Sequence, residues 1–186
     1  MPSALNADAG FANAFDTFSK SAFRFEGLQT YDVEEEKKDF QDFLKGKIPV
    51  ACPEGLKEWC SAITIATLQG KVYQRVRRIE FPLSDYTRFE IISGYQFSSE
   101  AGEQIRLLEK SSSDLSKDIL SSDDFWLFDD TFCFALDYNS GGEFIGVRQI
   151  DNIDVPIYVG RKLRMLESAV DLPNSHSWQI LSAQEQ

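Results

Sequence analysis

Positive charge is concentrated in one stretch of an otherwise acidic chain. From Lys71 to Leu108 the sequence reads KVYQRVRRIEFPLSDYTRFEI and, after a short gap, EAGEQIRLL. The planar guanidinium group of arginine suits phosphate or carboxylate groups, which it can bind through two parallel hydrogen bonds. The sequence therefore offers an anion-binding surface as one interpretation of its arginines, which are Arg75, Arg77, Arg78, Arg88 and Arg106.

The same stretch also supplies carboxylates that could neutralise these arginines. The available partners are Glu80, Glu90, Glu103 and Glu109. Charged residues on a central strand must find partners, because an unpaired buried charge is strongly unfavourable. We therefore favour an internal network of Arg75 and Arg77 with these carboxylates over an open site. A paired-carboxylate acid–base site made by Glu90 and Glu103 is an alternative, and it is less favoured because the arginines explain both residues.

Motifs for metal binding and for nucleophilic catalysis are weak. The Asp129-Asp130 pair offers oxygen ligands for a hard cation, but two aspartates after an apolar strand are typical of a hairpin turn. The three cysteines have no metal-ligand spacing, and the single histidine, His176, has no Ser or Cys motif beside it. The phosphate-binding patterns GxxxxGK[ST] and GxGxxG do not occur. We predict no catalytic residue, no metal site and no cofactor.

The composition disfavours several classes of partner. The 186 residues carry a formal net charge of −11, with a pI of about 4.6. Binding to a nucleic-acid backbone or to an anionic membrane requires a basic surface instead. The sequence shows neither a secretory leader pattern nor an apolar run long enough to span a bilayer. We therefore predict a cytoplasmic protein with no direct nucleic-acid binding and no membrane association.

The N-terminal part of the chain shows mainly helical periodicity. Apolar residues at helical spacing predict helices over about Ala7–Ser19 and over Leu56–Thr67, the second ending at Gly70. Between them, an acidic start and a basic end predict a helix that closes at Gly46. The alternating FRFE motif that begins at Phe23 predicts one short strand within this helical part.

Strand patterns begin at Lys71. A strand over Lys71–Phe81, a helix capped by Ser84 and a strand over Gln104–Glu109 make one βαβ unit, so the two strands should be parallel. The serine- and aspartate-rich segment Ser111–Asp124 is expected to be an exposed, mobile loop.

A meander and a helix complete the pattern. Three strands joined by tight turns are predicted over 125–128, 132–138 and 143–150. Asp154 is expected to cap a last helix, with Pro156 in its first turn. The tail after Pro173 is polar and is expected to fray.

These elements predict a single α+β (α/β-like) domain over residues 1–186. A mixed sheet of about five strands contains the βαβ unit and the C-terminal meander, and helices flank it. The helical N-terminal layer is expected over residues 7–70, the sheet-containing core over 71–172 and the tail over 173–186.

Three segments together resemble an uncharacterised domain family. The family's Val-Arg … Pro-x-Ser-x-Tyr-x-x-(Phe/Trp)-Glu, Ala-Gly-Glu-x-(Ile/Val)-Arg and Asp-Phe-Trp-x-Phe-Asp segments correspond to Val76–Glu90, Ala101–Arg106 and Asp124–Asp129. The resemblance covers nearly the whole chain, although the family's Pro-His after the last helix is replaced by DLPNSH. Such domains are widespread in actinobacteria and often encoded beside helix-turn-helix regulators. The resemblance implies a regulatory role, with such a regulator as a protein partner.

The order of elements also resembles one half of the phospholipase D-like fold. A strand ending in arginines, an AGExxR strand and a hairpin after an aspartate recur in that fold. Its catalytic His-x-Lys pair is missing here, because His176 is followed by Ser177 and Trp178. The resemblance therefore implies a catalytically empty version, used for binding or regulation.

Three functions follow from these observations. The first is a non-catalytic binding or regulatory module that recognises an anionic small molecule or a protein partner. Its ligand-binding residues would be Arg75, Arg77, Arg88, Glu90, Glu103 and Arg106. The second is a hydrolase or transferase acting on a phosphorylated or nucleotide substrate, with Glu90 or Glu103 as base. The third is an acidic interaction protein of the immunity or antitoxin type.

Observable features of the fold separate the three. A deep pocket with a glutamate of strongly shifted pKa would favour the enzyme. A contiguous acidic or apolar patch would favour the interaction protein. A basic, half-open cleft at the strand ends would favour the anion sensor.

Overall fold

One mixed sheet forms the centre of the computed structural model, which describes residues 9–109 and 115–183. The seven strands found in these ranges are β1 (Ser21–Glu26), β2 (Val72–Arg78), β3 (Gln104–Leu108), β4 (Asp124–Phe128), β5 (Phe132–Tyr138), β6 (Phe144–Gln149) and β7 (Val170–Asp171). Their order across the sheet is β6-β5-β4-β1-β2-β3-β7. Strands β1, β2 and β3 are parallel, and the other neighbouring pairs are antiparallel.

Helices cover both faces of this sheet. They are α1 (Ala9–Thr17), α2 (Lys37–Leu44), α3 (Glu54–Leu68), α4 (Asp85–Glu90), α5 (Gln96–Glu100), α6 (Lys117–Leu120), α7 (Val155–Ser168) and α8 (His176–Ala183). A 3₁₀ turn, Glu34–Glu36, precedes α2, and a π-helical turn, Ile91–Tyr95, joins α4 to α5 in one continuous helix. Among the helices of the described ranges, none has the length and apolarity needed to cross a bilayer.

The predicted α+β class and the βαβ unit are confirmed. Strands β2 and β3, which precede and follow the α4–α5 helix in the chain, pair in parallel. Ser84 caps the first turn of this helix, and its Oγ accepts the N–H of Thr87 at 3.0 Å. The predicted number of strands was too low. Strand β1, the FRFE segment inside the helical N-terminal part, lies between β2 and β4 in the middle of the sheet.

The two faces of the sheet differ in chemistry because side chains alternate along each strand. One face, the apolar face, packs against α6 and α7. Its buried residues include Phe23, Phe25, Val76, Leu108, Phe125 and Leu127, and Met165 of α7 packs against them. The opposite face, the charged face, carries Arg24 and Glu26 from β1 and Arg75 and Arg77 from β2. It is covered by α1, α3 and the π-helical turn.

The C-terminal segment does not fray within the described residues, contrary to prediction. After β7, a 3₁₀ turn (Leu172–Asn174) and α8 pack on the sheet, with Leu172 and Leu181 buried. The Glu109 carboxylate accepts the N–H groups of His176 and Ser177 at 2.9 and 2.7 Å and so caps α8. The few apolar side chains of this mostly polar segment are enough to hold it against the sheet.

Two other local expectations were wrong. The segment predicted as an exposed loop buries Leu115 and Ile119 and ends in β4 at the buried Asp124; residues 110–114 lie outside the described part of the chain. Asp154 precedes α7 but makes no side-chain capping bond.

The turn at Asp129-Asp130 is confirmed, with φ of 52° and 58°. The Asp129 carboxylate accepts the N–H groups of residues 19–21, which fixes the start of β1.

Candidate functional site

Strands β1 and β2 bring four charged side chains into the interior. In the parallel register, Arg24 lies beside Arg75 and Glu26 lies beside Arg77. Arg77 is fully buried, and Arg24 and Glu26 are only 4% and 6% exposed. Charges at this depth require opposite charges at contact distance, so the surroundings of these four residues determine what the face can do.

Glu26 is the shared counterion of three arginines. Its carboxylate lies 2.5 Å from Nη1 of Arg75, 3.5 Å from Nε of Arg24 and 3.9 Å from Nη1 of Arg77. The Tyr95 hydroxyl donates a further hydrogen bond to it at 2.7 Å. Burial would raise the pKa of Glu26, but the arginines, Arg75 foremost, outweigh burial and lower that pKa to about 2. Glu26 is therefore ionised at neutral pH.

Two further glutamates complete the pairing of the β2 arginines. Nε of Arg75 donates to Oε1 of Glu103 at 2.8 Å, and the Glu103 side chain is fully buried. Nη2 of Arg77 lies 2.9 Å from Oε2 of Glu90, close enough for an ion pair but without hydrogen-bond alignment. The internal pairing of Arg75 and Arg77 with glutamates is thus present in the structure.

Glu90 has an environment unlike that of Glu26. Burial raises its pKa to about 8, because the stabilising effect of Arg77 is smaller and the carboxylates of Glu26 and Glu36 add repulsion. Its side chain keeps 12% exposure. Glu90 therefore changes protonation in the neutral range, where a carboxyl group can both accept and donate a hydrogen bond.

A second cluster on the same face surrounds Asp124, at the start of β4. Asp124 accepts from Nη2 of Arg24 at 3.0 Å, from the Tyr31 hydroxyl at 2.5 Å and from the Gly27 N–H at 2.7 Å. Nη2 of Arg24 also contacts the Tyr138 hydroxyl at 3.0 Å. These bonds tie β1, β4, β5 and the segment after β1 together around one buried arginine.

The π-helical turn, which covers the charged face, positions two residues of the site. In a π turn the hydrogen bond spans five residues, so residues five apart lie close to one side of the helix. Glu90 and Tyr95 are separated by this spacing, and both reach the charged face: Glu90 contacts Arg77, and Tyr95 contacts Glu26. π-helical turns occur frequently at functional sites.

A cavity of about 740 Å³ lies above the charged face. Arg24, Glu26, Arg75 and Glu90 border it, together with residues of the 3₁₀ turn, α2 and the start of α3. Aromatic side chains in its wall include Tyr31, Tyr86, Phe89, Tyr95, Trp126 and Tyr138. The volume lies within the range of about 300–1,000 Å³ that is typical of small-molecule sites.

The structure assembles four of the six predicted site residues. Arg75, Arg77, Glu90 and Glu103 lie together, and of these Arg75 and Glu90 border the cavity. The expected proximity of Arg88 and Arg106 was wrong. Arg88 is on the outer side of α4, 3.9 Å from Asp85, with 43% of its side chain exposed. Arg106 is on the other face of the sheet, where Nε contacts Asp171 at 2.8 Å.

The sequence interpretation missed several residues of the site. They are Arg24, Glu26, Tyr31, Tyr95, Asp124 and Tyr138. The one available signal for these residues was the FRFE motif, in which two charged residues alternate with two phenylalanines. The arginines of β2 alternate with apolar residues in the same way. The rings of Trp59 and Trp126 pack on each other with centroids 5.8 Å apart, and both residues also border the cavity.

Metal coordination finds no support in the described ranges, which contain no grouping of three or more His, Cys, Asp or Glu side chains suited to a metal ion. His176 packs against Phe81 with ring centroids 5.8 Å apart and is not part of the cavity wall. Sγ of Cys52 lies 3.8 Å from Sγ of Cys60, and both thiols are free.

Comparison with protein families gives one match. A family model described as "Domain of unknown function (DUF6879)" matches residues 9–175, which is most of the chain. The expected membership of an uncharacterised domain family is confirmed at this level. No curated protein matches the chain.

Proposed function

This chain belongs to the DUF6879 family of domains of unknown function, and from the geometry of its cavity we propose that it is a small-molecule binding module. The ligand occupies the cavity of about 740 Å³ between the charged face and the α2–α3 layer. The observation that carries the proposal is the wall itself, which combines buried charged groups with aromatic side chains. Ligand sites typically have this combination of apolar surface and a few fixed polar groups.

Stability alone gives a poor account of the charged groups in this wall. Burying an ion pair removes hydration from both ions, and apolar residues of similar volume are often equally stable or more stable in the same place. The apolar face of the same sheet demonstrates that β1 and β2 can be packed with hydrocarbon side chains. Charges retained beside a cavity are better explained by recognition of a ligand.

Binding is preferred over catalysis because the wall lacks an activated nucleophile. The single histidine lies outside the cavity wall, and each wall arginine is bound by a carboxylate: Arg24 by Asp124, and Arg75 by Glu26 and Glu103. Groups held in this way can fix the orientation of a ligand. They favour a module that binds its ligand without converting it.

One observation favours an enzyme as the second candidate. Glu90 borders the cavity with a pKa raised to about 8 by burial, and a carboxyl group tuned toward neutral pH can act as a general acid or base. The phosphorylated substrate expected from the sequence is less favoured, because acidic residues such as Glu34, Glu54 and Glu58 border the opening. An enzyme of this kind would act on a substrate without phosphate groups.

The expected anionic ligand is likewise less favoured, because the cleft is not basic. The resemblance to domains encoded beside helix-turn-helix regulators extends the proposal to regulation, with ligand occupancy communicated to a regulator as the protein partner. A cytoplasmic location and a catalytically empty phospholipase D-like fold belong to the same proposal. A direct acidic interaction with a basic protein is the remaining alternative, supported by the acidic opening.

Gly94 allows a direct test of the cavity. It borders the cavity, and a Cβ atom at this position would meet nothing within 4 Å. Gly94→Phe should therefore place a ring in the open space without backbone strain, and Gly94→Ala is the matched control. All three proteins would be screened by thermal shift against metabolites, since a ligand at a hundredfold excess over Kd stabilises the native state by about 2.7 kcal/mol.

We expect ligands that stabilise the native chain and Gly94→Ala but not Gly94→Phe. Hits that survive in Gly94→Phe would place binding elsewhere and overturn the proposal. Each hit would also be incubated with the native chain and with Glu90→Gln and followed by NMR. Conversion of the hit by the native chain alone would establish the enzyme instead.

A further inference from the structure

The walls of the cavity are strongly acidic. Ten acidic and four basic side chains border it. The basic side chains already have carboxylate partners, including Lys37 with Glu34 at 2.5 Å and Lys57 with Glu54 at 2.5 Å. An anionic ligand would have to displace these carboxylates, whereas a cation would meet an excess of negative charge.

Two carboxylates in the wall are incompletely neutralised. Glu36, which is partly exposed, accepts a hydrogen bond from the Tyr86 hydroxyl at 2.5 Å. Glu90 lies 2.9 Å from Nη2 of Arg77, whose guanidinium group also approaches Glu26 at 3.9 Å. Burial raises the pKa of both Glu36 and Glu90, and each carboxylate adds to the cost of ionising Tyr86. A cation placed between Glu36 and Glu90 would relieve this repulsion, because opposite charge favours the ionised form of a buried carboxyl group.

Aromatic rings border the same space. Tyr86 and Phe89 form part of the wall next to the two carboxylates, and Tyr95 and Trp126 lie on the sheet side. Aromatic faces attract organic cations, and this attraction strengthens when the site is desolvated. Within this protein, the guanidinium groups of Arg75 and Arg77 already lie over the rings of Tyr95 and Tyr31, at 5.3 and 4.7 Å.

The wall also contains polar atoms that the protein leaves without a partner. Nη1 of Arg24 and Oγ of Ser93 form no hydrogen bond, although these residues are only 4% and 3% exposed and both border the cavity. Unpartnered polar atoms at this depth are unusual in native proteins. The Ser93 hydroxyl can accept a hydrogen bond from an ammonium or amidinium group, whereas Nη1 of Arg24 can only donate. Ser93 is therefore a second indication, separate from the charge, that the wall is completed by a ligand.

We propose that the cavity binds an organic cation, a protonated amine or amidine on an aromatic or ring-sized apolar body, between Glu36 and Glu90. The inference rests on the proposed function and specifies its ligand class. The ammonium or amidinium group pairs with the two carboxylates, and the apolar body packs on Tyr86 and Phe89. Uncharged and anionic compounds of the same shape lose this pairing.

Two sets of matched compounds test the charge requirement. Tryptamine, indole-3-propionamide and indole-3-propionate share one ring system, and benzamidine, benzamide and benzoate share another; each set runs from cation to neutral to anion. Binding to the native chain would be measured by calorimetry with compounds up to about 10 mM, so that a Kd near 1 mM is detected. The same titrations would use Glu36→Gln, Glu90→Gln and Arg88→Ala, with circular dichroism to verify folding.

We expect at least one cation to bind about tenfold more tightly than its neutral and anionic analogues, a difference of about 1.4 kcal/mol. Glu36→Gln and Glu90→Gln should each weaken that binding about tenfold, and Arg88→Ala, which changes a partly exposed side chain outside the cavity wall, should leave it unchanged. Glu36 is partly exposed, so its variant should fold even if Glu90→Gln does not.

Three outcomes would overturn the inference. An anion or neutral compound that binds as tightly as its cationic analogue would refute the charge requirement while leaving the small-molecule module intact, provided that Gly94→Phe abolishes binding. Binding of the cation that is unaffected in both carboxylate variants would refute the proposed position. No binding by either cation would refute the ligand class, and the metabolite screen would then decide the proposed function separately.

Discussion

The two faces of the central sheet are both buried, and only one of them carries a cluster of buried charges. On the apolar face, Phe25, Phe125 and Leu127 are fully buried among hydrocarbon side chains. On the charged face, Arg77 is fully buried between Glu26 and Glu90. A fully buried apolar side chain contributes about 1.5–3 kcal/mol, whereas a buried ion pair is about neutral relative to an apolar replacement. We infer that the stability comes from the apolar face and from the aromatic cluster of Phe15, Trp126 and Phe128 on the opposite face, and that the charged groups are specialised for recognition.

The largest effect should follow removal of one partner from a buried ion pair. Arg77→Met keeps a long side chain but leaves Glu26 and Glu90 without a shared cation, and breaking such a pair costs about 3–5 kcal/mol. The cost should be greatest near pH 9, because Glu90, with a pKa of about 8, is then ionised. Urea unfolding measures the loss.

Leu127→Met is the control for this experiment. Leu127 is also fully buried, on the apolar face, and a volume-conserving apolar change is expected to cost less than about 1.5 kcal/mol. Equal losses in the two methionine variants would remove the energetic distinction between the faces.

A repair experiment sharpens the comparison. Adding Glu90→Met to Arg77→Met converts both partners into apolar side chains, and such replacements are often neutral or stabilising by about 1–4 kcal/mol relative to the intact pair. We expect the double variant to regain most of the stability lost in Arg77→Met. A double variant that is less stable than Arg77→Met would indicate that the charged face stabilises the fold after all.

A double-mutant cycle tests whether the charged face acts as a network. Arg75 and Glu103 are joined at 2.8 Å, and pairs in direct contact usually show interaction energies of about 0.5–3 kcal/mol. Arg75→Met, Glu103→Gln and the double variant should therefore be non-additive in urea unfolding. The corresponding cycle for Arg75 and Arg88 should be additive, because Arg88 is exposed elsewhere on α4.

A further expected effect is a pH dependence that the apolar face cannot produce. The folded-state pKa of Glu90, about 8, lies above its ordinary value of 4.5, so the folded state binds more protons between these values. Its contribution to stability therefore declines as pH rises from 5 to 8, by at least about 1.4 kcal/mol, the value of one pKa unit. The lowered pKa of Glu26, about 2, acts in the opposite direction: its contribution is lost as pH falls from 4.5 toward 2.

The Glu90→Gln variant isolates the contribution of Glu90 to the pH dependence of stability. Thermal unfolding between about pH 5 and pH 8 should show a decline in the native chain that is reduced in the variant. Parallel pH profiles in the two proteins would mean that Glu90 does not titrate in this range.

Much of the fold could be predicted because its signals are local. The arginines of β2 alternate with apolar residues, Ser84 carries a capping side chain, and the spacing of β2, helix and β3 requires a parallel pair. The central place of β1 could not be predicted in this way. Six residues of alternating pattern look the same at the edge and in the middle of a sheet, and only pairing with β2 and β4 distinguishes them.

The errors in the site arise from geometry that a linear sequence does not fix. Arg88 and Glu90 are two residues apart, so on a helix they point to nearly opposite sides and only Glu90 reaches the sheet. Arg106 pairs in register with Val76, which places it on the apolar side of β2. A register shifted by one residue would have exchanged the two faces of β3. Pairing of Arg75 with Glu103 was predictable because the parallel βαβ unit brings the start of β3, which Glu103 precedes, beside β2.

The π-helical turn has a consequence for how this site tolerates insertions and deletions in the gene. A π turn spans one residue more than an α turn, and each residue turns an α-helix by about 100°. Removal of Gly94, which has no side chain, would allow α4 and α5 to join as a regular helix while β2 and β3 stay paired. Glu90 and Tyr95 would then be four residues apart, and residues at this spacing lie on one side of an α-helix, so both could still face the sheet. A single-codon deletion at Gly94 would thus preserve this wall of the cavity together with the scaffold, so descendants of one ancestral gene can differ in length at the turn while sharing the same site.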